Sequence, residues 1–380
     1  MADCGSDAHT YSNPERAICC SIVTLALQRR GMRETGQKQS MSGKTTSFDI
    51  AQLAGVSQPT VSRALRGSPT VSEQTRKRIE AIAHQLNYKV DKNASSLRTQ
   101  ESNTLALLFF EDPTNDDSMI NPFFLSMLGS ITRTCANRGY DLLISFQQMS
   151  SDWHVDFEDS RKADGIILLG YGDYELYHAK LEKLVAQGTH FVRWGFVQEG
   201  QPGTTIGCDN FRGGYDAVQH LVSGGRRRIA FLGDASSHYP EFRDRYRGGC
   251  EAQKSNGIAI VPNRQVDAIT TEQAGYHAVL ELIRRKVKFD AIFAASDLIA
   301  IGAIRGLEER GLEVPADIAI VGFDDIPAAS LAHPPLTTVQ QDYRRAGEVL
   351  VDTLLKQIRN EKADTTALPA RLIVRKSSGA

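Results

Sequence analysis

Two sets of side chains in this sequence have types and spacings that could do chemistry, and neither set is catalytic in kind. The first is Ser57-Gln58-Pro59-Thr60-Val61-Ser62-Arg63, just beyond Gly55. On a helix, Gln58, Pro59, Ser62 and Arg63 fall on the outer face, where an amide and a guanidinium can read base edges in a DNA major groove. The second set is dispersed: Arg193-Trp194, Asp209, Asp297 and Asp324-Asp325 each stand at the end of an apolar run. Carboxylates and a guanidinium gathered at one sheet edge suit the paired hydroxyls of a sugar, and an aromatic ring suits its apolar face. Taken singly, each of these residues has helix capping or a surface turn as an equal alternative.

Motifs for bond-making chemistry are missing from the sequence. It holds no G-x-x-x-x-G-K-[ST] phosphate loop, no G-x-S-x-G elbow and no H-E-x-x-H. Gly170-Tyr171-Gly172 follows a strand but lacks the third glycine of a dinucleotide site. The nine histidines are scattered without ligand spacing. No cofactor, no metal and no enzymatic activity are therefore expected. Two alternatives stay open: a sugar-acting enzyme using Asp297 or Asp209 as acid or base, and a solute-binding protein of the periplasmic type.

The first set needs a compact helical head to hold it. Thr46-x-x-Asp49 is a capping pattern for a helix over 47–54, and Gly55 supplies the turn. Ser57 is placed to cap a second helix from Gln58 to about Leu65, and Ser72 a third from Glu73 to about Leu86. Ile50, Leu53 and Ala54 are expected to face inward, and Leu53, Val61, Leu65, Ile79, Ile82 and Leu86 to form a small shared core. From Lys44 to Arg98 there are nine basic residues against four acidic ones, although the whole chain is close to neutral at -1. A basic head on an acidic body fits phosphate binding.

The second set needs a sheet edge. From Thr104 onward apolar strands alternate with helices, the pattern of parallel sheets covered on both faces. About 275 residues exceed one comfortable core, so two such sheets are expected, with ligands beyond the carboxyl ends of their strands. Six cysteines without a paired framework point to a reducing cytoplasm, and no run is long enough to span a membrane. Residues 1–43 read as a disordered or non-native extension, with Met41 a candidate start and a short helix over 18–30 the alternative.

Asp49-Ile50-Ala51-x-x-Ala54-Gly55-Val56-Ser57-x-x-Thr60-Val61-Ser62-Arg63, followed by Val71-Ser72-x-x-Thr75-Arg76 and Leu86-Asn87-Tyr88, resembles the LacI/GalR family of bacterial transcription repressors. Asn121-Pro122-Phe123-Phe124, Asp209-Asn210-x-x-Gly213-Gly214 and Val321-Gly322-Phe323-Asp324-Asp325 extend the resemblance downstream. It implies an all-α helix-turn-helix head plus an α/β body of two doubly wound parallel-sheet subdomains of the periplasmic-binding-protein-like type. The implied domains are a head at 44–89, a hinge at 90–102 and an effector-binding and dimerisation body at 103–380. Within the body, 103–206 with 338–362 form one subdomain, and 207–337 with 363–376 the other.

The implied function is a cytoplasmic, nucleoid-associated repressor of a carbohydrate operon. It grips near-palindromic double-stranded operator DNA as a homodimer and is controlled by a saccharide or, alternatively, a purine or other metabolite. Gln58, Pro59 and Arg63 would read bases, Thr46, Ser57, Thr60, Ser62, Thr75 and Tyr88 would hold phosphates, and Leu97 would wedge the minor groove. Phe124, Trp194, Asp209, Arg245 and Asp297 match positions the family uses for effector. Val90, Arg66 and Pro59 depart from the family pattern, and the absence of a leucine heptad tail suggests a dimer rather than a tetramer.

Overall fold

The structure is a computed structural model that describes residues 45–88, 101–111 and 120–379. The chain divides into two compact units, 1–91 and 92–380. The extension over 1–43 and Leu97, with most of the expected hinge, lie outside the described residues.

Three helices build the first unit: α1 (Ser47–Ala54), α2 (Gln58–Leu65) and α3 (Glu73–Gln85). Thr46 and Asp49 close a reciprocal capping box at the start of α1, the Asp49 carboxylate accepting from the Thr46 N–H at 2.9 Å. Gly55 ends α1 at φ 62°, a left-handed conformation that a side chain would strain. Ser72 caps α3 through the Thr75 N–H. Ser57 stands at the cap position of α2, but its hydroxyl bonds Thr60 Oγ1 at 2.9 Å instead of a backbone N–H, so the expected side-chain cap is not made.

Ile50, Ala54, Val61, Ala64, Ile79 and Ala83 form the core of this unit, with Leu65, Ile82, Leu86 and Tyr88 packed around it. Leu53 does not join them and is 53% exposed. Ile50, Ala51 and Ala54 define the inward face of α1, and at 3.6 residues per turn Leu53 sits about 100° around the helix from the centre of that face.

The second unit holds two six-stranded sheets. The first contains β1 (Thr104–Phe109), β2 (Asp141–Phe146), β3 (Ile166–Leu169), β4 (Phe191–Trp194), β5 (Thr204–Cys208) and a late strand, Thr366–Leu368. The second contains β6 (Ile229–Leu232), β7 (Gln265–Val266), β8 (Ala291–Ala294), β9 (Ala319–Asp324) and β10 (Thr337–Gln341). With the late strand as β11 and Ala370–Ile373 as β12, the orders are β11-β5-β4-β3-β1-β2 and β12-β10-β9-β8-β6-β7. All pairings are parallel except β10 with β12. Strands buried on both faces, such as Leu105 to Phe109, explain why the sequence shows apolar runs without alternation.

Helices cover these sheets: α4 (Pro122–Asn137), α5 (Tyr174–Ala186), α6 (Asn210–Ser223), α7 (Pro240–Ser255), α8 (Glu272–Arg284), α9 (Asp297–Glu308), α10 (Pro327–Leu331) and α11 (Tyr343–Ile358). The expected subdomain boundaries shift in two places. Residues 338–341 were expected with the first sheet, but β10 pairs with β9 in the second, and only α11 returns to pack on α4. Residues from 363 were expected with the second sheet, but β11 pairs with β5 in the first before β12 crosses back. These strands are three to five residues long and partly polar, so no apolar run announced them. Among the described residues no helix is long and apolar enough to cross a membrane.

Candidate functional site

On the helical unit, α2 presents Pro59 and Arg63 exposed, with Gln58, Thr60 and Ser62 half-buried. Pro59 lies in the first turn, where its missing N–H and fixed φ cost the helix nothing. Gln58 is tied back by a 3.2 Å bond from Nε2 to Ser47 Oγ, which leaves its carbonyl oxygen available. Arg66 folds onto its own helix, Nε donating to Ser62 O at 3.0 Å, whereas Arg63 has no such tether among the described residues. Around this face lie Thr46, engaged with Asp49, and Thr75, whose hydroxyl bonds Ser72 Oγ at 2.9 Å. Tyr88 is half-buried against the core. Phe48, 72% exposed beside Ser47, is an apolar candidate contact that sequence reasoning missed. Its signal was present, since a phenylalanine off the apolar face of α1 has no packing role.

In the α/β unit the cluster that matters is buried at the carboxyl ends of the strands. Arg245 on α7 is fully buried. Its Nε donates to Asn210 Oδ1 at 2.9 Å, Nη2 to the Tyr171 hydroxyl at 3.3 Å, and Nη1 to the Ala295 carbonyl. Asp324 Oδ1 lies 3.6 Å from Nη1, and the Phe323 ring sits 3.7 Å below the guanidinium. A buried cation is tolerated only when its hydrogen bonds and counter-charge are supplied in this way. Two glycines bring α6 and α7 close enough for it: a Cβ at Gly214 would lie 2.1 Å from Arg245 O, and one at Gly248 2.0 Å from Phe211 O. Backbone therefore meets backbone, and Arg245 is held against the first turn of α6.

Asp297, the first residue of α9, is also fully buried. Its carboxylate accepts from the Thr338 hydroxyl at 2.5 Å and from the Ile326 N–H at 2.9 Å. Burial, reinforced by nearby Asp324, pushes its carboxyl well above the usual range, against the Thr338 hydrogen bond. Asp324 is raised by burial to about 6, with Arg245 and a Gln341 amide bond opposing the rise. Burial works against the charge on Arg245, but the Tyr171 hydroxyl and the Asp324 carboxyl together outweigh it and hold the guanidinium above its usual value.

Phe124 and Trp194 reach the same region through aromatic packing. Phe124 lies 4.7 Å from the Tyr171 ring, and Phe123 lies 5.9 Å from Trp194. Tyr171, which follows β3, accepts from Gln341 Nε2 at 3.0 Å and so joins the two sheets. Asp209 is not in the cluster. It is exposed and caps α6, accepting from the Arg212 N–H at 2.9 Å, and its neighbour Asn210 faces Arg245 instead. Of the two roles open to Asp209 in the sequence, ligand residue and helix cap, the structure shows the cap. Tyr171, Asn210, Thr338 and Gln341 were all missed. Tyr171 had been weighed only as part of a nucleotide loop, and Gln341 lies on an unrecognised strand.

Beside this cluster a small cavity of about 20 Å³, room for one hydroxyl-sized group, is lined by Gln147, Tyr174, Arg193, Trp194 and Glu241 among others. At its side the two halves of the unit are stitched together: the Tyr174 N–H donates to His238 O at 2.9 Å, and His238 Nδ1 lies 2.8 Å from Asp173 Oδ2. No group of three or more His, Cys, Asp or Glu side chains among the described residues could hold a metal ion. The arrangement offers charge, hydroxyl partners and aromatic faces, which serve binding more than bond-breaking.

Residues 48–91 match the model for bacterial regulatory proteins of the lacI family, and residues 218–378 match a periplasmic binding protein-like domain. The chain is 30% identical to a ribose operon repressor of Haemophilus influenzae, across 87% of this chain and 98% of that one. It is similar to a lac repressor dimer bound to operator and the anti-inducer ONPF, with TM-score 0.76 and 26% identity over 89% of this chain and 100% of that one. A complex of the transcriptional regulator CelR with cellobiose gives TM-score 0.65 and 28% identity over 88% and 99%. With a helix-turn-helix head, two parallel sheets and near full-length similarity to these regulators, the chain belongs to the lacI family of bacterial regulatory proteins.

Proposed function

We propose that this chain is a cytoplasmic repressor that binds near-palindromic operator DNA as a homodimer and releases or tightens its grip when a saccharide occupies the cleft between its two sheets. Arg63, Gln58 and Pro59 read bases. Thr46, Ser57, Thr60, Ser62, Thr75 and Tyr88 set register on phosphates, and Leu97 enters the minor groove. Exposed Leu125 on α4, and Leu143 and Ile144 on the two faces of the edge strand β2, are apolar side chains that a second copy would cover.

The observation that carries the effector assignment is the buried pair of carboxyl groups, Asp297 and Asp324, beside Arg245 and an aromatic group containing Phe124 and Trp194. Hydroxyls need such mixed donors and acceptors, and a sugar ring needs an aromatic face. The similar CelR structure carries cellobiose. A planar base is the second reading, favoured by the Phe123 and Tyr171 rings, which lie 14° from parallel at 6.3 Å.

Fluorescence anisotropy of the full chain on DNA from its own promoter tests the DNA half. Arg63→Ala is expected to cost about 1 to 3 kcal/mol on the specific site and much less on random DNA. Equal losses on both would remove base reading by Arg63.

A further inference from the structure

The cavity beside the buried cluster contains two unsatisfied polar atoms of opposite kind. Gln147 is 3% exposed, and its Nε2 donates to Leu108 O at 3.1 Å and Leu169 O at 3.2 Å. Those two carbonyls fix the orientation of the amide, and Oε1 is left with no donor. Arg193 is also 3% exposed, with Nη2 donating to Gln201 Oε1 at 2.6 Å and its Nε left with no acceptor. Both side chains line the same cavity. Among the described residues no carboxylate pairs with Arg193 within 4.0 Å.

Buried polar atoms are rarely left without a partner, so each of these two marks where one belongs. An orphan acceptor and an orphan donor sharing a cavity define the missing group. A carboxylate or phosphate oxygen accepts but cannot donate to Gln147, and an ammonium donates but cannot accept from Arg193. A hydroxyl does both, whether a sugar's or a water's. Glu241 lines the same cavity, one oxygen accepting from the Phe196 N–H at 2.7 Å, and its negative charge opposes an acidic ligand. Trp194 and Tyr174 also line it, with the Arg193 guanidinium 5.3 Å from the centre of the Tyr174 ring.

We infer that this cavity is a hydroxyl-selective subsite, in which Arg193 Nε donates to, and Gln147 Oε1 accepts from, a hydroxyl group of a neutral, unphosphorylated sugar. The inference rests on the saccharide reading of the cleft and narrows it. Arg193 and Gln147 become specificity-determining residues, and sugar acids and sugar phosphates are excluded.

Calorimetric titration of the full chain with ribose, glucose and cellobiose tests it, alongside their phosphorylated, acid and monodeoxy analogues. Wild type is expected to bind one neutral sugar best and to lose about 10- to 100-fold for one monodeoxy analogue, because that analogue leaves buried groups unpaired. Arg193→Lys keeps the charge and the stem but lacks the Nε–H, and there the same deoxy loss is expected to shrink to about 3-fold or less, as a coupled pair requires. An unchanged deoxy loss in Arg193→Lys overturns the inference alone and leaves the cavity to a water. A sugar acid or phosphate binding best overturns it on wild type, even if the variant fails to fold. Binding of a purine base and of none of the sugars overturns both this inference and the saccharide reading.

Discussion

The Arg245 guanidinium lies 3.6 Å from the Asp324 carboxylate, with Arg245 fully buried and Asp324 2% exposed. Arg245 comes from α7 and Asp324 from the end of β9, so the pair ties a helix to the strand end that also carries the proposed ligand site. A buried ion pair of this sort adds little net stability when intact, and breaking one side leaves an uncompensated charge.

Arg245→Met tests that asymmetry. It strands Asp324, the Asn210 carbonyl oxygen and the Ala295 carbonyl, and it is expected to lower the unfolding free energy by about 3 to 5 kcal/mol in urea. An unchanged midpoint would show that the pair is dispensable.

Asp324 gives the α/β unit a pH dependence of definite sign. Its folded pKa, about 6, lies above the ordinary 3.8, so the folded state holds the proton more tightly than the unfolded chain. The stabilisation is complete below about pH 4 and is lost as pH rises through 6, by an amount on the order of 2 to 3 kcal/mol. Asp297 is shifted in the same direction. Asp324→Asn is expected to flatten the fall in stability between pH 5 and 7, and an unflattened profile would place the titration elsewhere.

His238 works in the same sense. The Asp173 carboxylate at 2.8 Å, helped by Glu175 and Asp234, raises the imidazole above its usual 6.5. The clasp between His238 and Asp173 is therefore intact below about pH 6.5 and weakens as pH rises through the raised value. Ligand dissociation measured by stopped flow is expected to quicken from pH 6 to 9 in wild type, and to lose that dependence in His238→Gln.

Thr46 bears on the head alone. Thr46→Ala removes the hydroxyl half of the capping box, which accepts from the Asp49 N–H, keeps the backbone N–H that donates to the Asp49 carboxylate, and is expected to cost about 1 kcal/mol locally. Amide exchange in α1 of the full chain measures it, and unchanged protection would mean that packing of Ile50 and Ala54 alone holds the helix.

Much of this architecture could be read directly from the residues. The apolar runs that became β1, β3, β6 and β8 are buried on both faces, and runs of that kind have few alternative uses. The buried pairing of Arg245 with Asn210 was less accessible. It depends on α6 starting at Asn210, and Asp209 reads equally well as a ligand residue or a cap. Leu53 misled for a related reason, since helical spacing admits it to the inward face and only the position of α3 decides which flank is covered. Gln147 and Arg193 left no motif, because an orphaned atom is defined by what fails to reach it.

The central claim is that a sugar in the cleft controls DNA binding, and the direct measurement is operator affinity with and without the best-binding neutral sugar, in wild type and in Asp297→Ala. The sugar is expected to shift wild-type affinity by about 10-fold or more, within the range of ordinary allosteric coupling, and Asp297→Ala to bind the same DNA without responding. A wild type indifferent to every sugar it binds, or an Asp297→Ala chain that responds normally, would contradict it.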